Sequence, residues 1–282
     1  MGMDVTLVDY RERIVKHLIH FTVQTAKNRL SYDKTIISKM SPNCYYLNAG
    51  SQFPLCNGVF DFEFNEAELE KRLEESINTF KELKLPFAWW WLQDRTIPKN
   101  VDDQLIKFGF SSAGEYSGVM CKVDELSFSE KYSNDINVRQ VETSEDHDTH
   151  ANILSETFLL QEPISTEFKL MLNPFSGNTA LTYYVGSYRN EPVGVLTMCI
   201  ENNIVGLYAG ATLPKARNNG VATALIEYAL RIAISRGCTM AVAQLMARNM
   251  AAGILKRLGF KTVCCFIPYI HGASADSLEP EN

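Results

Sequence analysis

The sequence predicts an α/β (α+β) fold made of two domains, each a central sheet flanked by helices. Three observations point there. An apolar strand from Ile204 to Thr212 passes through a turn marked by Pro214 into a long helix from about Arg217 to Arg236. Val221, Leu225, Ala229 and Ile232 fall on one stripe of that helix, so the apolar period changes from a strand's two to a helix's 3.6 within a few residues. Second, Leu105-Ile106-Lys107-Phe108-Gly109-Phe110 matches Leu255-Lys256-Arg257-Leu258-Gly259-Phe260 at an offset of 150 residues, which suggests one architecture used twice. Third, 282 residues with 46% hydrophobic and 21% charged side chains suffice for two ordinary domains with their own cores.

Taken in order, the first half offers a strand at residues 58–64 and a helix from about Asn65 to Leu83. Leu69, Leu73, Ile77 and Phe80 form the apolar stripe of that helix. A strand at Phe87 to Leu92 carries Trp89, Trp90 and Trp91 on alternating faces, so at least one ring must be buried between the halves or beneath a covering helix. A helix stopping at Gly109 follows. Lys122 to Asn137 is polar and charge-rich and reads as a linker, giving domains at 1–130 and 136–282. The second half starts with a strand near Val138 and helices at about Ser144–Leu160 and Ser165–Leu172, separated by Pro163. Strands at Leu181–Tyr188 and Val193–Ile200 are joined by a turn at Asn190-Glu191-Pro192. A strand at Thr239–Leu245 and a short helix at 250–258 complete it, and the tail from about Gly272 is small and polar.

The net charge of -6, with no basic block, argues against a nucleic-acid binder and weakly favours a cationic partner by steering. No apolar run is long enough for a membrane span, and Met1 to Tyr10 lack signal-peptide character. Seven scattered cysteines without a C-x-x-C pair suggest free thiols and a cytoplasmic setting. His17/His20 and His147/His150 are each spaced i, i+3; without further ligands nearby they read as solvated helix faces, and no metal is expected.

Arg217-Asn218-Asn219-Gly220-Val221-Ala222 opens the long helix. A helix start offers unpaired N–H groups and the positive end of the macrodipole, which suits a pyrophosphate. Gly220 and Ala222 leave that backbone uncovered. This loop, with the helix of residues 250–258 and its Leu258-Gly259-Phe260 stop, resembles the acyl-CoA site of the GNAT superfamily of N-acyltransferases. The resemblance is close over residues 180–270 and looser over 136–180. It implies a mixed, mostly antiparallel sheet in each domain and acetyl-CoA as co-substrate. It also implies that Gly210, Ala211 and Thr212 pair with the pantetheine arm, while Arg217, Asn218, Asn219, Gly220, Val221, Ala222 and Thr223 hold the pyrophosphate. In the first half the same offset leads to Ala67, Glu70 and Arg72, and the acidic helix start at Glu66, Glu68 and Glu70 would repel a pyrophosphate. A degenerate first copy without a CoA site is expected.

Acyl transfer needs a polarised carbonyl, a deprotonated amine and a proton for the leaving thiolate. The resemblance implies a base on the strand, at a position occupied here by Gly206. Tyr208, on the same strand face, is the nearest polar group, and Glu201 could act through water. The position implied for a thiolate acid is Leu255, which cannot donate, so Tyr269 or water would substitute. The expected activity is transfer of an acetyl group to a small-molecule or peptide primary amine. The alternatives are an inert acyl-CoA-binding or interaction module, or an unrelated nucleotide-binding α/β protein, which the lack of a G-x-x-x-x-G-K-[ST] sequence disfavours. The acceptor and the oligomeric state are not legible.

Overall fold

The first half comprises α1 (Val5–Lys27), β1 (Ile36–Ser41), β2 (Cys44–Asn48), β3 (Asn57–Phe60), α2 (Glu66–Leu83), β4 (Phe87–Leu92), α3 (Val101–Lys107), β5 (Ser111–Ser112) and β6 (Tyr116–Lys122). The second adds β7 (Ile136–Gln140), α4 (Ser144–Thr157), α5 (Ile164–Met171), β8 (Leu181–Tyr188), β9 (Glu191–Glu201), β10 (Ile204–Thr212), α6 (Val221–Ser235), β11 (Met240–Met246), α7 (Ala251–Arg257) and β12 (Lys261–His271). The computed structural model describes residues 5–28, 36–41, 44–60, 65–92, 101–129, 133–246 and 250–273. Residues 61–64 of the expected first strand, 130–132 of the linker, the Trp91 side chain and the tail beyond 273 lie outside the described parts.

Among the described residues the strands form one sheet, ordered β1-β2-β3-β4-β12-β6-β11-β10-β9-β8-β7, with β5 beside β12. Most neighbours are antiparallel; β3 with β4 and β10 with β11 are parallel, their crossovers made by α2 and α6. The expectation of a separate sheet in each half is corrected at the centre. β6 of the first half pairs with β11 of the second, from Met240↔Lys122 to Met246↔Tyr116. β12 of the second pairs with β4 of the first, from Phe266↔Leu92 to His271↔Phe87. The two exchanged strands also pair with each other, and Tyr116 lies opposite Phe266, the same 150 residues apart as the sequence repeat. Joining the halves in one sheet leaves β1 and β7 as its edges, two fewer than separate sheets would have to protect.

The cores follow this exchange. The larger combines α1's Ile14, Val15, Leu18, Ile19 and Val23 with second-half residues such as Val205, Leu207, Val242 and Leu255. The smaller packs Leu69, Leu73 and Phe80 of α2 against Phe87 and Trp89 of β4, and takes in Tyr269 of β12. Trp89 and Trp90 are both buried, on opposite faces, as strand alternation requires. The Trp89 indole donates to Ser76 Oγ at 3.1 Å, while Trp90 stacks on Phe60 in the larger core.

Two buried carboxylates tie the halves further. Glu167 of α5 accepts from Ser51 Oγ (2.7 Å) and the Gln52 N–H (2.8 Å). Glu227 of α6 accepts from Ser129 Oγ (2.8 Å), pinning the linker. One turn is corrected: Arg189 and Asn190 take positive φ (51° and 66°) as a tight hairpin loop, so Pro192 lies inside β9 instead of in the turn.

Candidate active site

β10 pairs with β11 only from Ile204↔Met240 to Leu207↔Ala243. Its register with β9 then shifts between Tyr208 and Ala211, and Ala209 takes φ 45°. Such a bulge bends a strand and takes it out of its ladder. β10 and β11 therefore part, leaving residues 208–212 unpaired on the β11 side.

The chain then makes a short 3₁₀ turn at Pro214–Ala216, and Gly220 caps α6 at φ 86° with no side-chain cap. That left-handed φ suits glycine, and a Cβ there would stand 3.3 Å from Ile136 Cδ1. The Ala224 N–H makes the first helical bond, to the Gly220 carbonyl at 3.0 Å. The N–H groups of Val221, Ala222 and Thr223 thus have no acceptor within the helix. Arg217 Nε donates to the Thr212 carbonyl at 3.4 Å, bracing the loop. The Asn219 amide turns back onto the Ala216 and Arg217 carbonyls (3.3 and 3.4 Å).

A cavity of about 780 Å³ runs from this loop into the junction of the two halves. Gly210, Ala211, Thr212, Arg217, Asn218, Gly220, Val221, Ala222, Thr223 and Leu255 all line it, whereas Asn219 does not. Its far wall is apolar and comes largely from α1, the 53–56 turn, α4 and α5, including Leu18, Phe21, Phe53, Leu55, Phe158, Phe168 and Met171. Arg217 and Arg257 are the charged residues among those lining it, and no carboxylate is among them. Among the described wall residues no acid is present to pair with a cationic partner.

Tyr208 lines the cavity, stacks on Phe21 with ring centroids 3.9 Å apart, and is buried. Its hydroxyl lies 2.8 Å from His17 Nδ1. His17 Nε2 lies 3.3 Å from the Ile204 carbonyl, which can only accept. The partners thus assign the proton to Nε2 and make Nδ1 the acceptor for Tyr208 O–H. Burial lowers the His17 pKa to about 4, with the neighbouring His20 adding to the effect, so the ring is neutral at pH 7. Burial raises Tyr208 well above the ordinary phenol value.

Several expectations are corrected. His17, read as part of a solvated face, is 1% exposed, and His147 and His150 are buried as well. Glu201 does not line the cavity; its carboxylate lies 2.7 Å from His20 Nδ1. Tyr269 sits in the smaller core beneath α2 and α3, because β12 crosses to pair with β4, and it is not a wall residue. In the first half, α2 starts at Glu66 and α6 at Val221, 155 residues apart, so the constant offset that matched Ala67, Glu70 and Arg72 to the loop slips there. Asn65 Oδ1 accepts from the Glu68 N–H at 2.9 Å, so a side chain caps that helix start.

The buried histidines predict an acid limit to stability. His17 and His150 are depressed by burial from 6.5 to about 4 and about 3. Below pH 6.5 the unfolded chain binds protons that the folded chain refuses, so stability is lost as pH falls, at up to about 1.4 kcal/mol per pH unit for each histidine. Thermal melts should show a midpoint that drops steeply from pH 7 to pH 4.5, and His17→Asn should flatten the slope. A midpoint constant over that range would contradict neutral burial.

Residues 148–260 match the sequence profile of the acetyltransferase (GNAT) family. In structure the chain is similar to a GCN5-related N-acetyltransferase from Kribbella flavida, at 11% identity over 91% of this chain and 96% of that one, with a TM-score of 0.65. A functionally unknown conserved protein from Staphylococcus epidermidis ATCC 12228 is similar at 11% identity, covering 86% and 96%, with a TM-score of 0.66. A tandem GNAT protein from the clavulanic acid biosynthesis pathway is similar at 10% identity, covering 74% and 70%, with a TM-score of 0.50. No curated protein sequence matches the chain. Residues 148–260 are thus a GNAT-family domain. Along most of its length the chain has the fold of GCN5-related N-acetyltransferases.

Proposed function

We propose that the protein is an acyl-CoA N-acyltransferase that moves an acetyl group from acetyl-CoA to a primary amine by direct transfer in a ternary complex. One observation carries this reading: the parting of β10 from β11 and the uncapped, left-handed start of α6 open onto the same cavity. The Val221, Ala222 and Thr223 N–H groups, with the Arg217 guanidinium beside them, form the pyrophosphate site. The freed backbone of Gly210 to Thr212 holds the pantetheine arm, and N–H groups on this strand polarise the thioester carbonyl. Holding donor and acceptor in one cavity supplies much of the rate by proximity. The chain reads as two GNAT-like halves, 1–130 and 136–282, locked by strand exchange; the first lacks a CoA loop and builds the acceptor wall. The cytoplasm, where acetyl-CoA is made and thiols stay reduced, is the setting this reading implies.

The acceptor is an amine with an apolar body. Among the described residues the acceptor wall offers Phe21, Phe53 and Phe168 and no carboxylate, so a polyamine would lose hydration there without a partner. Purified protein with acetyl-CoA, read by release of free CoA thiol, should show kcat/KM at least tenfold higher for arylalkyl or long alkyl amines than for spermidine. The reverse order would contradict the apolar acceptor. No thiol release with any amine, despite acetyl-CoA binding, would favour an inert acyl-CoA-binding module.

A further inference from the structure

We infer that His17, from the first half, completes the catalytic proton path of the second half, acting through Tyr208 in place of the side chain that Gly206 lacks. This rests on the acyltransferase reading above. The observations are geometric. A Cβ built on Gly206 would lie 2.3 Å from Tyr208 Cε2 and 2.4 Å from His17 Cε1, so these two rings fill the space where a side chain at 206 would project. A base carried on the strand is sterically excluded while they are present. His17 is held by Nε2–H donating to the Ile204 carbonyl, two residues before Gly206, and by Nδ1 accepting from Tyr208. It does not line the cavity, whereas Tyr208 does. His17 is therefore a positioning and proton-accepting residue behind Tyr208, which is the group at the wall.

The amine nitrogen bonds to the acyl carbon, the carbon–sulfur bond breaks, and the electron pair leaves on the CoA sulfur. The amine proton passes to Tyr208 Oη as the Tyr208 proton passes to His17 Nδ1, giving a transient imidazolium. That proton returns through Tyr208 to the thiolate, for which Leu255 offers no donor. The groups around the imidazolium are His20, whose rings lie 6.2 Å from those of His17 by centroid, the Glu201 carboxylate on His20, and the Cys199 thiol opposite Gly206. Burial and His20 oppose the transient cation, while the Nε2–H bond to the Ile204 carbonyl favours it, so the imidazolium is short-lived.

His17→Asn keeps an acceptor near the Nδ1 position but cannot take a proton. It should lower kcat at least tenfold, within the ~10²–10⁴-fold range of general acid–base groups, while the KM for acetyl-CoA changes less than twofold. Tyr208→Phe should do the same, and the double variant should be no slower than the slower single, because residues acting as one unit are not additive. A folded His17→Asn with kcat within twofold of the parent, or multiplicative effects in the double variant, would overturn the inference. An inactive parent protein that binds acetyl-CoA would instead overturn the acyltransferase reading. A second measurement needs no variant: ¹⁵N NMR of the parent at pH 7 should show His17 neutral and protonated on Nε2. A ring protonated on Nδ1 would overturn the inference, since Tyr208 could then not donate to it.

Discussion

Gly220→Glu is expected to abolish acetyl-CoA binding while leaving the fold in place. Three effects act together at this residue. Its φ of 86° lies where side chains are strained, at roughly 1–2 kcal/mol. The new side chain would cover the N–H groups of Val221 and Ala222, and its charge would take the place meant for a pyrophosphate. Calorimetry should show binding weakened by at least a hundredfold. Gly220→Ala, which adds strain and slight crowding against Ile136 without charge, should weaken it less. Binding unchanged in Gly220→Glu, in a variant with native circular dichroism, would move the ligand away from this helix start.

A chain cut to residues 136–282 should fail to fold as a stable, active unit. It would lose β6 from between β11 and β12, leaving two new edges and stripping β12 of its other partner β4. It would also lose α1, whose Ile14, Val15, Leu18, Ile19 and Val23 belong to the larger core. At about 1.5–3 kcal/mol for each buried apolar side chain, those five alone rival the roughly 5–15 kcal/mol stability of a whole domain. The fragment should be aggregated or lack a cooperative melt, and adding residues 1–130 in trans should restore solubility. A soluble, cooperative and fully active fragment would contradict the shared sheet and core.

What was legible in the sequence was local. The strand, turn and helix around Gly220 are specified by neighbouring residues, through apolar period, Pro214 and the glycine, and the helix from Asn65 and the strand at Phe87 read just as directly. What escaped was contact between distant segments. His17 and Tyr208 lie 191 residues apart, and nothing in the i, i+3 spacing of His17 and His20 says that one ring faces a tyrosine on another element. An i, i+3 pair of histidines fits a wet face and a buried one equally, because histidine is compatible with both settings. The place of Tyr269 is not marked in the sequence because exchange of β6 and β12 leaves no trace in composition: either strand would suit its own half equally well. The helix-start offset is 155 because the stretch from helix start to Gly-Phe stop is longer in the first half, where α2 has 18 residues to α6's 15 and α3 starts further beyond β4 than α7 beyond β11, and an ungapped match cannot show that.

The central claim is a single acetyl-CoA site in the second half, served by residues of the first. Calorimetric titration of acetyl-CoA into the intact chain tests it most directly. One molecule bound per chain is predicted, with the heat of binding lost in Gly220→Glu and retained in Tyr208→Phe. Two molecules per chain, or one that survives Gly220→Glu, would contradict it.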